Sequence, residues 1–359
     1  MKNITAHFFI ISMVIGLSCH KNNSDPTGYT MVSAMDTMNL SEPRSALASA
    51  TTKNIILFAG GFNGASHTKT VDVFNALTNV WSTTKLLEAR SMMSAAASGS
   101  KMVFAGGTGS TVYTDSVQIY DVDTKNWSKD KLSQARNGIA AVAAGDNIYF
   151  AGGYNGHIYS KVIDIYNVTT HVWTTDQLSE ARAYAAAVTA GNKIFFAGGY
   201  TGPDAYSGTV DIYDTNSQQW STAQLSEARD YISAAAGQKK VFFAGGVNGS
   251  NYSYSKTVDV YDLATGKFET TPLQMSEAKS EFAAASAGNM ILFAGGRTGS
   301  ATYSKVVDVY DETAGAWTTN SLYTARGGFA AASAGNRIFF AGGYITGTYY
   351  RVVDVFKVQ

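Results

Sequence analysis

The residues best equipped to do chemistry in this chain are ones that break its own pattern. Glu281, Arg297, Tyr184, Tyr231 and Tyr252 stand where equivalent stretches carry small or unrelated residues. A carboxylate beside a guanidinium or a phenol can exchange a proton with a sugar. Without turnover, the same set would hold a polar ligand against aromatic faces. Other chemistries find less support. A copper site needs clustered imidazoles and phenolates. Here His20 lies in a polar tether, His171 falls in a different loop class, and His67 and His157 sit in repeats that are not neighbours. No metal is therefore expected. The chain has no G-x-S-x-G, zinc-binding, phosphate-loop or dinucleotide motif, so no cofactor and no catalytic residue is assigned. Lys and Arg number 27 against 27 Asp and Glu, which removes the basic field that a nucleic-acid partner requires.

The frame that must position those residues is a repeat. Gly60-Gly61, Gly106-Gly107, Gly152-Gly153, Gly198-Gly199, Gly245-Gly246, Gly295-Gly296 and Gly342-Gly343 recur at intervals of 46, 46, 46, 47, 50 and 47 residues. A period of that size signals an array of supersecondary units. In the unit Arg136–Leu178, an Ala-rich run, IAAVAAG, turns into the apolar strand IYFAGG. A variable loop, the strand VIDIY and a segment around Trp173 follow. Four short strands separated by turn residues predict an antiparallel meander. The first strands are almost all Ala, Ser and Gly, as strands converging on an axis must be. Trp81, Trp127, Trp173, Trp220 and Trp317, with Phe268 at the sixth place, are expected as plates between neighbouring units.

A Gly doublet after an apolar strand, then a Tyr, then a Trp about twenty residues on, resembles the kelch repeat. The resemblance implies an all-β fold, a seven-bladed kelch-type β-propeller spanning 29–359. The seventh copy stops at VVDVFKVQ without a Trp strand, while MDTMNLSEPR (Met35–Arg44) parallels WSKDKLSQAR (Trp127–Arg136). An N-terminal outer strand is therefore expected to close the last blade. Kelch propellers serve many roles, and related ones include copper oxidases acting on sugars and sialic-acid mutarotases, so the resemblance implies less about activity.

Residues 1–18 read as an export signal, with Lys2 before the apolar stretch Phe8–Leu17. Cys19, the single cysteine, follows in IGLSC, which resembles a bacterial lipobox, and 19–28 reads as a flexible tether. The expectation is lipidation at Cys19 and residence at the cell envelope, as an outer-membrane-anchored lipoprotein or a secreted protein.

Loop lengths separate two faces. The distance from the opening base (Arg44, Arg90, Arg136, Arg182, Arg229, Lys279, Arg326) to the Gly pair is always 16 positions. The loop from second Gly to third strand grows from 10 positions to 11 in blades four and six and 12 in blade five. The stretch Phe268–Lys279 is likewise 11 rather than 9, and is assigned to the link between blades. Binding residues favour variable loops on a rigid scaffold. Tyr154, Tyr200, Tyr344 and Arg297 directly follow Gly pairs on that face, while Tyr184, Tyr231 and Glu281 stand two places after opening bases, at the channel mouth. With Tyr252 they form the expected ligand-binding set. The expected function is a non-catalytic binding or scaffold propeller recognising a protein or glycan; the alternative is a sugar-modifying, mutarotase- or lyase-like enzyme at the channel mouth. The bases recur beside Asp72, Asp164, Asp211, Asp259, Asp308 and Asp354. Ion pairs are the simpler reading of that register, and an anion-binding annulus the other.

Overall fold

The computed structural model describes residues 32–34, 37–109, 113–249 and 253–359. The signal, Cys19, the tether and Tyr252 lie outside the described residues. Seven antiparallel sheets of four or five strands form a ring, six of them laid out in chain order from the axis outward. Blade one shows the rule with Ala48–Thr52, Ile55–Ala59, Thr70–Asn75 and Val80–Lys85. Its first hairpin turns at Lys53 and Asn54, both left-handed with φ of 48° and 62°, the conformation that matches the twist of the flanking strands.

The second strands carry unbroken apolar runs because both of their faces are covered. Ile56, Leu57, Phe58 and Ala59 are all fully buried. Each core layer joins two blades: Phe58 and Phe74 of blade one pack with Phe339 and Val353 of blade seven. The first strands line the channel with Ala and Ser, and Ser49 Oγ donates to Ala331 O of the adjoining blade at 2.6 Å. Small side chains are what this convergence leaves room for.

The ends of the chain share the seventh blade. Val32–Ala34 and Met38–Asn39 pair with Val352–Val358, in registers Val32↔Val358 and Met38↔Val353. A covalently distant segment thus supplies the outer strand, and Leu40 is buried in the layer between blades seven and one.

The tryptophans are half-buried on outer strands, packed against the layers that join neighbouring blades, as expected. Each also stacks on the third-strand aromatic of its own blade (Phe74–Trp81, ring centroids 4.7 Å apart). Trp173 Nε1 donates to Asp130 of the preceding blade at 2.8 Å. One sequence reading needs correction: the extra length between Phe268 and Lys279 is not an inter-blade link. It is a bulge inside the outer strand of blade five, between Lys267–Phe268 and Leu273–Gln274, both paired with Thr257–Asp262. Pro272 there has no N–H to give the ladder, which favours interruption at that point.

The recurring bases are ion-paired. Arg44 meets Asp72 at 2.7 Å, Arg182 meets Asp211 at 2.5 Å, Lys279 meets Asp308 at 2.7 Å and Arg326 meets Asp354 at 2.6 Å. Arg136–Asp164 and Arg229–Asp259 repeat the pair. The second carboxylate oxygen accepts a backbone N–H from the incoming segment, as Asp72 does from Ser41. Base and acid thereby fasten the entry of each blade to its third strand. Blade two departs: Gln118 stands at the acid position, and Nε and Nη2 of the buried Arg90 have no partner. Burial, only partly offset by Glu88, pulls the Arg90 pKa down to about 10.

Candidate functional site

The site begins with a backbone conformation. The residues two places after each opening base are all left-handed: Ala46, Met92, Gly138, Tyr184, Tyr231, Glu281 and Gly328, with φ between 47° and 64°. Their peptides link blade to blade, with Ala46 N bonded to Gly328 O, Met92 N to Ala46 O, and Tyr184 N to Gly138 O. This conformation costs a non-glycine residue about 1–2 kcal/mol. Every blade needs the turn, since here the chain descends into its innermost strand, but Tyr184, Tyr231 and Glu281 place large polar side chains on it. The backbone belongs to the repeat, and the side chain to the individual blade.

On that ring Tyr184 and Tyr231 stack, with centroids 4.8 Å apart and planes 23° from parallel. Tyr231 is 39% exposed, which leaves part of the pair open to solvent. Its hydroxyl is pushed well above the usual phenol range by burial, then by Tyr184, Asp230 and Glu281. Burial also raises Tyr184. Both phenols therefore remain neutral, as hydrogen-bonding groups with apolar faces.

Beside them a cavity of about 560 Å³ opens between blades five and six, lined by Asp230, Tyr231, Tyr254, Ser280, Glu281 and Arg297, with Val247 and Ser300. That volume falls in the range of small-molecule sites. Glu281 is held from two sides, by the Tyr344 hydroxyl at 3.0 Å and by Arg297 Nη1 at 3.5 Å. Arg297 is fixed in turn by Nε donating to Gly299 O at 2.9 Å and by Nη2 donating to Ser300 O. The loop thus wraps its own arginine and presents it to the carboxylate of the same blade.

Asp230 was not legible as a site residue. It stands one place after the opening base, where the other blades carry Ser45, Ser91, Asn137, Ala183, Ser280 and Gly327. Being the one carboxylate in that set was the available signal. It is 5% exposed, its Oδ1 has no hydrogen-bond partner, and burial lifts its pKa to about 7. Asn137 Oδ1, at the same place in blade three, is also buried without a partner.

The expected residues divide into two groups. Tyr231, Glu281 and Arg297 line the cavity, with Tyr184 stacked on the first and Tyr344 bonded to the second. Tyr154 and Tyr200 lie instead in an aromatic ladder running Tyr113–Tyr154–Tyr159–Tyr200–Tyr206, with centroids 4.8 to 5.8 Å apart. There they pack loops against one another, and the Tyr154 hydroxyl is spent on Gly156 O at 2.7 Å. A second cavity, of about 710 Å³, lies on blades one and two beside Phe62, His67, Lys69 and Tyr113. Among the described residues, no group of three or more His, Cys, Asp or Glu is arranged to hold a metal ion.

Comparison with known proteins agrees with this architecture. The family described as the KLHDC2/KLHL20/DRC7 Kelch-repeats domain matches residues 30–180 and 138–343. The solved structure of YjhT is similar in fold, with a TM-score of 0.63 at 17% identity, covering 79% of this chain and 99% of that one. No curated protein matches the sequence significantly. With the repeat, the ring and the family match in agreement, the chain belongs to the kelch-repeat family.

Proposed function

We propose that this chain is a binding propeller that takes up a glycan at its channel mouth, in the cavity shared by blades five and six. The observation that carries the reading is the stacked Tyr184–Tyr231 pair beside buried acceptors that no protein group satisfies, Asp230 Oδ1 and Asn137 Oδ1. Sugars offer apolar C–H faces to aromatic rings and O–H donors to open acceptors, so the two features ask for one kind of ligand. The ion-paired Glu281–Arg297 edge adds a fixed polar wall. A glycan array probed with the purified chain, followed by titration of each hit, tests the reading. Tyr231→Ala and Tyr184→Ala should each weaken a true ligand about tenfold or more. Hits whose affinity ignores both substitutions would place binding elsewhere.

The sequence-based reading of residues 1–28 would hold this propeller at the cell envelope through a lipid on Cys19. Metabolic labelling with an alkynyl fatty acid, lost in Cys19→Ser, checks that anchor. A second reading, sugar modification at the same mouth, is favoured by one observation: Asp230 holds its proton to about pH 7, where an acid–base group works best. Anomer exchange or cleavage of a bound sugar, followed by NMR, separates turnover from binding.

A further inference from the structure

Asp230 is a buried carboxylate that the fold leaves without a counter-charge and with one oxygen unbonded. It is 5% exposed and faces the cavity, and Oδ1 is bonded to nothing. The cations nearby are committed elsewhere. Arg229, its neighbour in sequence, is buried against Asp259 with Glu227 at 3.6 Å, and Arg297 is paired with Glu281. The other ionisable groups around it are the phenols of Tyr184 and Tyr231, which stay neutral. A desolvated carboxylate left unpaired is costly, and such groups are ordinarily matched by a cation or by several donors. In the other blades this position is Ser, Asn, Ala or Gly, so the repeat itself does not demand an acid here.

What would satisfy Asp230 is an N–H donor carrying positive charge. A charge-assisted hydrogen bond to a carboxylate is about twice as strong as a neutral one. The stacked tyrosine faces beside it attract a cation through their ring quadrupoles. We propose that the cavity of blades five and six selects a ligand bearing a protonated amine, of the amino-sugar class, whose ammonium group becomes the missing partner of Asp230. This rests on the glycan reading above and narrows it. An uncharged sugar retains the stacking contacts and can meet Oδ1 with a neutral O–H but leaves the charge unmatched, and N-acetylation of the amine removes the charge while adding bulk.

Selection of this kind couples binding to protonation. The ammonium stabilises the ionised carboxylate, so the proton that Asp230 keeps to about pH 7 leaves as the ligand enters. Glu281 does not share that role, because Arg297 and the Tyr344 hydroxyl hold it in the free protein.

The test is calorimetric titration of the purified chain with D-glucosamine, N-acetyl-D-glucosamine and D-glucose at pH 6, in two buffers of different ionisation enthalpy. The expected result is glucosamine binding about tenfold or more tighter than the other two, with proton release on binding. Asp230→Asn should remove both the preference and the proton release, bringing glucosamine down to about the affinity of glucose. Equal affinity for glucosamine and glucose would overturn the amine selection and leave the glycan reading standing. A preference that survives Asp230→Asn would overturn the role of Asp230, and no binding of any of the three would overturn the proposal together with the reading beneath it.

Discussion

Replacing Asp230 by Asn should make the protein more stable at alkaline pH, because the carboxylate is held where charge is unfavourable. Burial lifts its pKa from 3.8 to about 7. Each unit is worth about 1.36 kcal/mol, so ionising Asp230 in the folded chain costs on the order of 4 kcal/mol. The folded chain keeps this proton to higher pH than the unfolded chain does. The contribution of Asp230 is therefore undiminished below about pH 4, declines as pH rises toward about 7, and levels off beyond. Asparagine keeps the shape and removes the titration. Urea unfolding followed by tryptophan fluorescence, at pH 4.5 and pH 8.5, isolates the effect, since every other titrating group is common to both proteins. Over that interval the parent should lose about 3 kcal/mol relative to Asp230→Asn. Parallel pH dependence in the two proteins would refute the claim that Asp230 is buried without a counter-charge. Stability given up at this position is the trade expected if Asp230 serves the binding role proposed for it.

The ion-pair ring gives two further expectations. Asp164→Asn leaves Arg136 buried without its carboxylate and should destabilise by about 3–5 kcal/mol in denaturant titration; a loss under 1 kcal/mol would show that the pair is dispensable. Gln118→Asp should give Arg90 the partner that six other blades provide, adding about 1–3 kcal/mol, and an unchanged or lower midpoint would count against the assigned register. Deleting residues 29–40 removes the outer strand of blade seven and the buried Leu40, so calorimetry should show one cooperative transition at lower temperature. An unchanged melting temperature would contradict closure by the N-terminal segment.

The ring was legible because each period in the sequence is one blade in space. Constant spacing from base to Gly pair carries a constant hairpin, and a missing Trp strand at one end with its match at the other marks the seam. The base and acid positions could be paired on paper because the register between first and third strands is the same in each copy; Gln118 shows up as an exception by the same logic. Local detail was harder. The residues added between Phe268 and Lys279 could be counted but not placed, since a link and a bulge have the same length.

The site divides along the same line. Sequence alone determined which face varies and which of its residues are individual, because departure from a repeat is visible without coordinates. It brought Tyr184, Tyr231, Glu281 and Arg297 forward together. Only the tertiary structure decided that Tyr184 and Tyr231 stack, that Tyr154 and Tyr200 are absorbed into a ladder of loops, and that Glu281 is held between Arg297 and Tyr344. It alone revealed Asp230, since being unpartnered is not a property of a residue or its neighbours in the chain. It is set by everything that ring closure brings around one carboxyl group: here two phenols and a cavity, with every nearby cation already engaged.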